Sequence, residues 1–117
     1  MFRMHENRLR AMADMHGRMH AGEIVMTNAP AWMAYYGEFN ALSLPSDGAE
    51  LRRWEQAFGQ LRFAAVCPYG PVDGVAEMVL KRHIVPAWFI SEKAQVYPGG
   101  EVFFSAADPD EAVVVTH

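Results

Sequence analysis

The 117-residue sequence contains a single cysteine, Cys67, so it can form neither an internal disulfide nor a cysteine-rich zinc site. It has no long hydrophobic run. The longest stretch without a formal charge, Ile24 to Gly37, is 14 residues and includes Thr27, Asn28 and Pro30. A helix that crosses a bilayer needs about 20 apolar residues. Basic residues are outnumbered, 10 against 14 acidic ones, and the net charge of −4 argues against nucleic acid as a partner. Near the N-terminus Arg3, Glu6, Arg8 and Arg10 interrupt the apolar segment that a signal peptide requires. Internal repeats, low-complexity tracts, a Gly-x-Gly-x-x-Gly fingerprint and a Walker lysine are also absent. What is present is a chain with 51% hydrophobic residues, of a length that suits one small domain with one core.

Charge is unevenly spread. Residues 1–20 hold Arg3, Arg8, Arg10 and Arg18 against Glu6 and Asp14, while the acid excess lies in the rest. The same segment carries five of the eight methionines and three of the five histidines. Phe2, His5, Leu9, Met12, His16 and Met19, apolar or semi-polar, recur every three or four residues, which predicts a helix over residues 1–21. The core proper is expected over residues 22–117. Glu23 to Thr27 reads as a first strand. Asn28-Ala29-Pro30 then reads as a helix start, with asparagine as cap, proline in the first turn and Gly37 as a left-handed stop.

Phe39 to Leu44 alternates like a half-buried strand until Pro45 ends it. Asp47 is placed to cap the next helix, whose Leu51, Trp54 and Phe58 share a face before Gly59. Leu61 to Cys67 is short and apolar enough for a strand buried on both faces, and Pro68-Tyr69-Gly70-Pro71 turns the chain. Asp73 can cap a helix to about Arg82, with Val75, Met78, Val79 and the Arg82 stem inward. Ala94 to Tyr97 and Glu101 to Ser105 flank Pro98-Gly99-Gly100 as a hairpin, and Ala112 to Thr116 supplies a last strand. This order predicts an α/β fold, a small Rossmann-like mixed sheet. Three parallel strands with crossover helices are followed by an antiparallel hairpin and strand, all preceded by the N-terminal helix.

Parallel strands place their ligand crevice at their C-terminal ends, so the candidate binding rim is Thr27, Asn28, Ser46, Cys67 and Tyr69. Cys67 could serve as a nucleophile with His83 as its base, but a buried cysteine that packs as a small hydrophobe is preferred. Met15, His16, Met19 and His20 fall within about one and a half helical turns and have the soft donors that suit Cu(I). An amphipathic helix that uses methionine to fill gaps is again preferred. Gly70 to Gly74 could cradle an anion only poorly, since Asp73 would repel it. Asp108, Asp110 and Glu111 read as a solvated acidic loop. No catalytic residue is assigned, and no cofactor is called for.

Ile24-Val25-Met26-Thr27-Asn28-Ala29-Pro30, then Trp32, Tyr35-Tyr36-Gly37, Ala41-Leu42-Ser43-Leu44-Pro45, a helix, and Leu61 to Val66 resemble a recurring module. It is similar to the soluble extracytoplasmic C-terminal domain of multispanning, polyprenyl-phosphate-dependent glycosyltransferases of the dolichyl-phosphate-mannose and aminoarabinose transferase type. The likeness covers roughly residues 20–67 and its motifs are short. It implies a non-catalytic accessory module on the extracytoplasmic, periplasmic, face of the cytoplasmic membrane. The transmembrane part of the same polypeptide, or a membrane partner, would be its partner, and a glycan or lipid-linked sugar its ligand. In that family the catalytic acidic residues lie in the membrane part, so none can be assigned here. The basic first helix would join the module to the last span, its arginines near anionic head groups. A stand-alone cytoplasmic α/β enzyme or binding protein using the rim around Cys67, and a soft-metal protein using the first helix, are the alternatives.

Overall fold

Alternation along the strands decides which face each helix covers. Successive strand residues point to opposite sides of a sheet, and Val25, Phe63, Ala65 and Phe103 accordingly pack on one side, Met26, Ala64, Val66 and Phe104 on the other. The computed structural model describes residues 2–90 and 93–106. In chain order the elements are α1 (Phe2–Arg18), β1 (Ile24–Thr27), α2 (Pro30–Gly37), β2 (Asn40–Ser43), α3 (Gly48–Phe58), β3 (Phe63–Val66), α4 (Gly74–Leu80), β4 (Lys93–Val96) and β5 (Val102–Ser105).

The strands form one mixed sheet of order β2-β1-β3-β5-β4. β1 runs parallel to both neighbours, with Val25 opposite Ala41 on β2 and Phe63 on β3. β5 is antiparallel to β3, pairing Ala65 with Phe103, and the hairpin partner β4 closes the far edge. The expected α/β architecture is therefore the observed one. The strand expected at Ala112 to Thr116 and the acidic loop of Asp108, Asp110 and Glu111 lie outside the described residues.

α1 and α2 cover one face through Ala11, Met12, Met15 and Met33. α3 and α4 cover the other through Leu51, Val75, Ala76 and Val79. Phe89 and Ile90, in a loop for which no element was expected, complete that second layer, and the Phe89 ring meets Phe104 edge-on at 5.5 Å. β3 lies between both layers, so all four of its residues are buried, as the apolar run required.

Several local expectations shift. The inward stripe of α1 is Ala11, Met12 and Met15 with Met19 half-buried, whereas Leu9 and His16 are exposed. The stripe turns because Met12 and Met15 pack with Met33 of α2, while the His16 ring lies at the margin, tilted against Phe39 at 4.6 Å. Phe2 and His5 lie outside the described side chains. Glu38, not Gly37, takes the left-handed conformation that ends α2. Gly37 is glycine for space: a Cβ there would stand 3.2 Å from Sδ of Met12 and closer still to the Phe39 ring. On α3, Asp47 caps as expected, accepting from the Glu50 N–H at 2.8 Å. Phe58, however, is exposed, because it falls in the last turn, beyond the edge of the sheet layer it was expected to cover. α4 stops at Leu80, which leaves Arg82 outside the core.

α1 has a definite direction on the sheet. Arg8 lies over the rings of Tyr69 and Trp32, at 4.3 and 5.5 Å, near the start of α2. Met12 and His16 meet the end of α2, the His16 Nε2 standing 3.4 Å from the Glu38 carbonyl. The two helices thus run side by side in the same sense. The N-terminal half of α1 therefore lies toward the strands' C-terminal ends, where Tyr69 and the start of α2 stand. At its other end, Asp14 accepts from the Tyr97 hydroxyl at 2.5 Å and pairs with Arg18 at 2.7 Å. The Tyr97 hydrogen bond and the Arg18 guanidinium together hold the Asp14 carboxyl below its ordinary range.

Candidate functional site

The five residues expected on one rim divide into three sets. Thr27 and Asn28 hold the rim together. Thr27 is fully buried, its Oγ1 accepting from the Ala29 N–H at 3.1 Å and standing 3.9 Å from Sγ of Cys67. The Asn28 side chain does not cap α2; Ala29 holds that position with no side-chain cap. Instead the Asn28 amide reaches across to the end of β3. Its Nδ2 donates to the carbonyls of Cys67, at 2.7 Å, and Pro71, at 3.0 Å, while Oδ1 accepts from the Cys67 N–H at 2.7 Å. It serves as one more rung of the β1/β3 ladder, made by a side chain. Gly70 allows the turn after β3 to lie against it, because a Cβ at that position would come within 2.6 Å of the Asn28 carbonyl.

Next to this clamp a cleft of about 260 Å³ opens between the end of β2 and the start of α4. Pro30, Leu44, Pro45, Pro71 and Val75 give it apolar walls, and Ser43, Ser46 and Asp73 give it polar ones. Asp73 sits at the N-cap position of α4 in extended backbone, but its side chain makes no capping bond. Ser46 was expected on the rim. Ser43 and Asp73 were not, since alternation and capping already accounted for them; their signal lies in the strand order, which sets β2 beside β1.

Cys67 and Tyr69 belong to a separate buried group on the α1 side of the sheet. Cys67 is fully buried, and burial pushes its thiol up from the ordinary value. That is the opposite of what a nucleophile requires. Its proposed base, His83, is exposed in the turn after α4, and no hydrogen bond joins the two among the described residues. Burial raises Tyr69 as well, helped by Cys67 and by the Glu101 carboxylate. Glu101 is the residue the sequence concealed. It was expected at the start of the strand that follows the Pro98-Gly99-Gly100 turn; two-residue alternation puts it on the face of Phe103, and its carboxylate is fully buried beneath Gly99. Among the described residues neither carboxylate oxygen has a hydrogen-bond partner.

An unpaired carboxylate in such a place is costly. Glu101→Met, which keeps the length of the side chain and removes the polar atoms, is expected to stabilise the fold by about 1–3 kcal/mol. A thermal melt that rises by several degrees checks this. An unchanged or lower melting temperature would mean that the carboxylate has a stabilising partner.

The soft-metal candidates are not equivalent either. Met15 is enclosed in the core, Met19 is half-buried against it, and His16 and His20 are exposed. Among the described residues no three His, Cys, Asp or Glu side chains stand close enough to share a metal ion.

No family model, curated protein or solved structure matches this chain.

Proposed function

We propose that this chain is a non-catalytic accessory module of a membrane-bound, polyprenyl-phosphate-dependent glycosyltransferase. The supporting observation joins sequence to geometry. The residues that carry the resemblance form one uninterrupted β1-α2-β2-α3-β3 unit, and α1 joins it from the end where the parallel strands terminate. A membrane span ahead of α1 would therefore turn the rim, rather than the opposite edge, toward the bilayer. Arg8 and Arg10, in the rim-side half of α1, would lie where anionic head groups favour cations. Among the described residues no helix is long and apolar enough to cross a membrane itself, so the spans would belong to another part of the polypeptide or to a partner.

The test is an immunoblot of fractionated source cells with an antibody raised against this domain. A membrane-fraction band several times the mass of 117 residues is the expected result. A soluble band at the mass of this chain alone overturns the proposal.

A further inference from the structure

We infer that the cleft between β2 and α4 is a binding site for a neutral, multiply hydroxylated ligand the size of one sugar ring, held by Asp73, Ser43 and Ser46. The polar inventory of the lining leads there by subtraction. Thr27 Oγ1 is taken by Ala29, and the Asn28 amide is taken by Cys67 and Pro71. Ser43, Ser46 and Asp73 remain, and none of their side chains makes a hydrogen bond or ion pair to the protein among the described residues. All three are exposed, so one carboxylate and two hydroxyls line the same opening with no protein partner to give up. A carboxylate only accepts hydrogen bonds, whereas a serine hydroxyl both donates and accepts.

Charge narrows the ligand class. The lining contains one formal negative charge and no lysine, arginine or histidine. A phosphate or carboxylate would meet Asp73 with no cation to offset it. A neutral polyol meets no such repulsion, because its hydroxyls donate to Asp73 and exchange hydrogen bonds with both serines. Shape narrows it further. At about 260 Å³ the cleft falls just below the roughly 300–1,000 Å³ of sites for drug-sized ligands and has room for a single ring. The three prolines, Leu44 and Val75 offer apolar walls to the C–H face of such a ring. The cleft lies at the C-terminal ends of the parallel strands, the end of the sheet at which open α/β folds bind ligands, one strand to the side of the β1/β3 switch point.

The inference deepens the accessory-module proposal, on which it rests only for the source of the sugar; the cleft chemistry holds for a free-standing protein as well. The experiment uses the 117-residue chain with isotope labels and titrates glucose, mannose, galactose and arabinose, with glucose 1-phosphate as the anionic counterpart. Amide shifts of residues 43–46 and 73–75 are the readout. At least one neutral sugar is expected to move these amides, and glucose 1-phosphate is expected to bind more weakly than glucose. Asp73→Ala and Ser46→Ala are each expected to weaken binding by about tenfold or more.

Neither variant should disturb the fold, because Asp73 makes no capping bond and Ser46 contributes only its backbone N–H to Glu50. The amide spectrum of each variant verifies this. Silence of these amides with every neutral sugar overturns the inference, as does an affinity unchanged in Asp73→Ala or tighter binding of the phosphate. The immunoblot reports on the module proposal independently. A large membrane band with silent amides removes this site alone, and sugar binding by a small soluble protein removes the membrane context alone.

Discussion

Asn28→Ala should lower the unfolding free energy by about 2–4 kcal/mol, among the largest effects expected of any single change in this chain. The size follows from what the amide holds. Two of its three hydrogen bonds are to the N–H and C=O of Cys67, a fully buried residue. Truncation leaves the Cys67 N–H without a partner, at a cost of about 1–3 kcal/mol, and leaves the Cys67 carbonyl with only the longer bond from the Gly70 N–H at 3.3 Å. The third bond, to Pro71, also ties the turn after β3, so its loss loosens the approach to α4. Asn28→Asp should be no rescue, because a carboxylate would face the Cys67 and Pro71 carbonyls with nothing to donate. Urea denaturation of the three proteins settles the matter: the midpoint should fall for both variants with little change in slope. A loss below about 1 kcal/mol for Asn28→Ala would show that the rim is held by other means.

The second large effect is expected at Met15. Its side chain is fully buried between α1 and the sheet, in the cluster that contains Met12, Met33, Val25 and Phe103. Met15→Ala should cost about 2–5 kcal/mol, the usual range for opening a cavity of that size in a packed interior. Met15→Leu, of similar volume, should cost less than about 1.5 kcal/mol. The contrast separates packing from thioether chemistry, since leucine fills the space but offers no sulfur. His16→Ala serves as the comparison on the same helix. Its exposed ring contacts Phe39, and its loss should change stability far less than Met15→Ala does. Chemical denaturation curves give all three values. Equal losses for Met15→Ala and Met15→Leu would mean that the sulfur itself matters.

Periodicity made the skeleton readable because each strand is short and each helix is bounded by a residue with a local effect. Asp47 and Gly59 bracket α3, and the fully apolar run at β3 identified the centre of the sheet. Residues whose partners lie far along the chain were not readable. Asn28 looked like a helix cap because capping is the local use of an asparagine before proline, whereas its actual partners, Cys67 and Pro71, lie 39 and 43 residues away. Glu101 was placed at the start of a strand, but nothing local told which face it takes; its pairing with Tyr97 across the hairpin and its alternation with Phe103 draw the carboxylate inward. The α1 stripe was misplaced by part of a turn because its orientation depends on α2, which no pattern within α1 can report.

The candidate rim was legible as a place but not as a set of groups. Strand ends told where a cleft would lie; the hydrogen bonds determined which of its residues remain available. Ser46 passed from expectation to site, Thr27 and Asn28 became part of the frame, and Cys67 and Tyr69 went to the opposite face.

The Asn28 clamp also relocates the opening itself. α2 leaves β1 toward one face of the sheet and α4 follows β3 onto the other, so the gap between β1 and β3 is where connections diverge and where folds of this architecture commonly seat a ligand. In this chain the gap already has an occupant, an amide side chain that binds both of its walls. Any guest must lodge one position to the side, beyond β1 toward β2, a displacement of about 4.8 Å, one strand spacing. Shortening that one side chain, where the fold survives it, would vacate the central position and give the sheet two neighbouring berths instead of one.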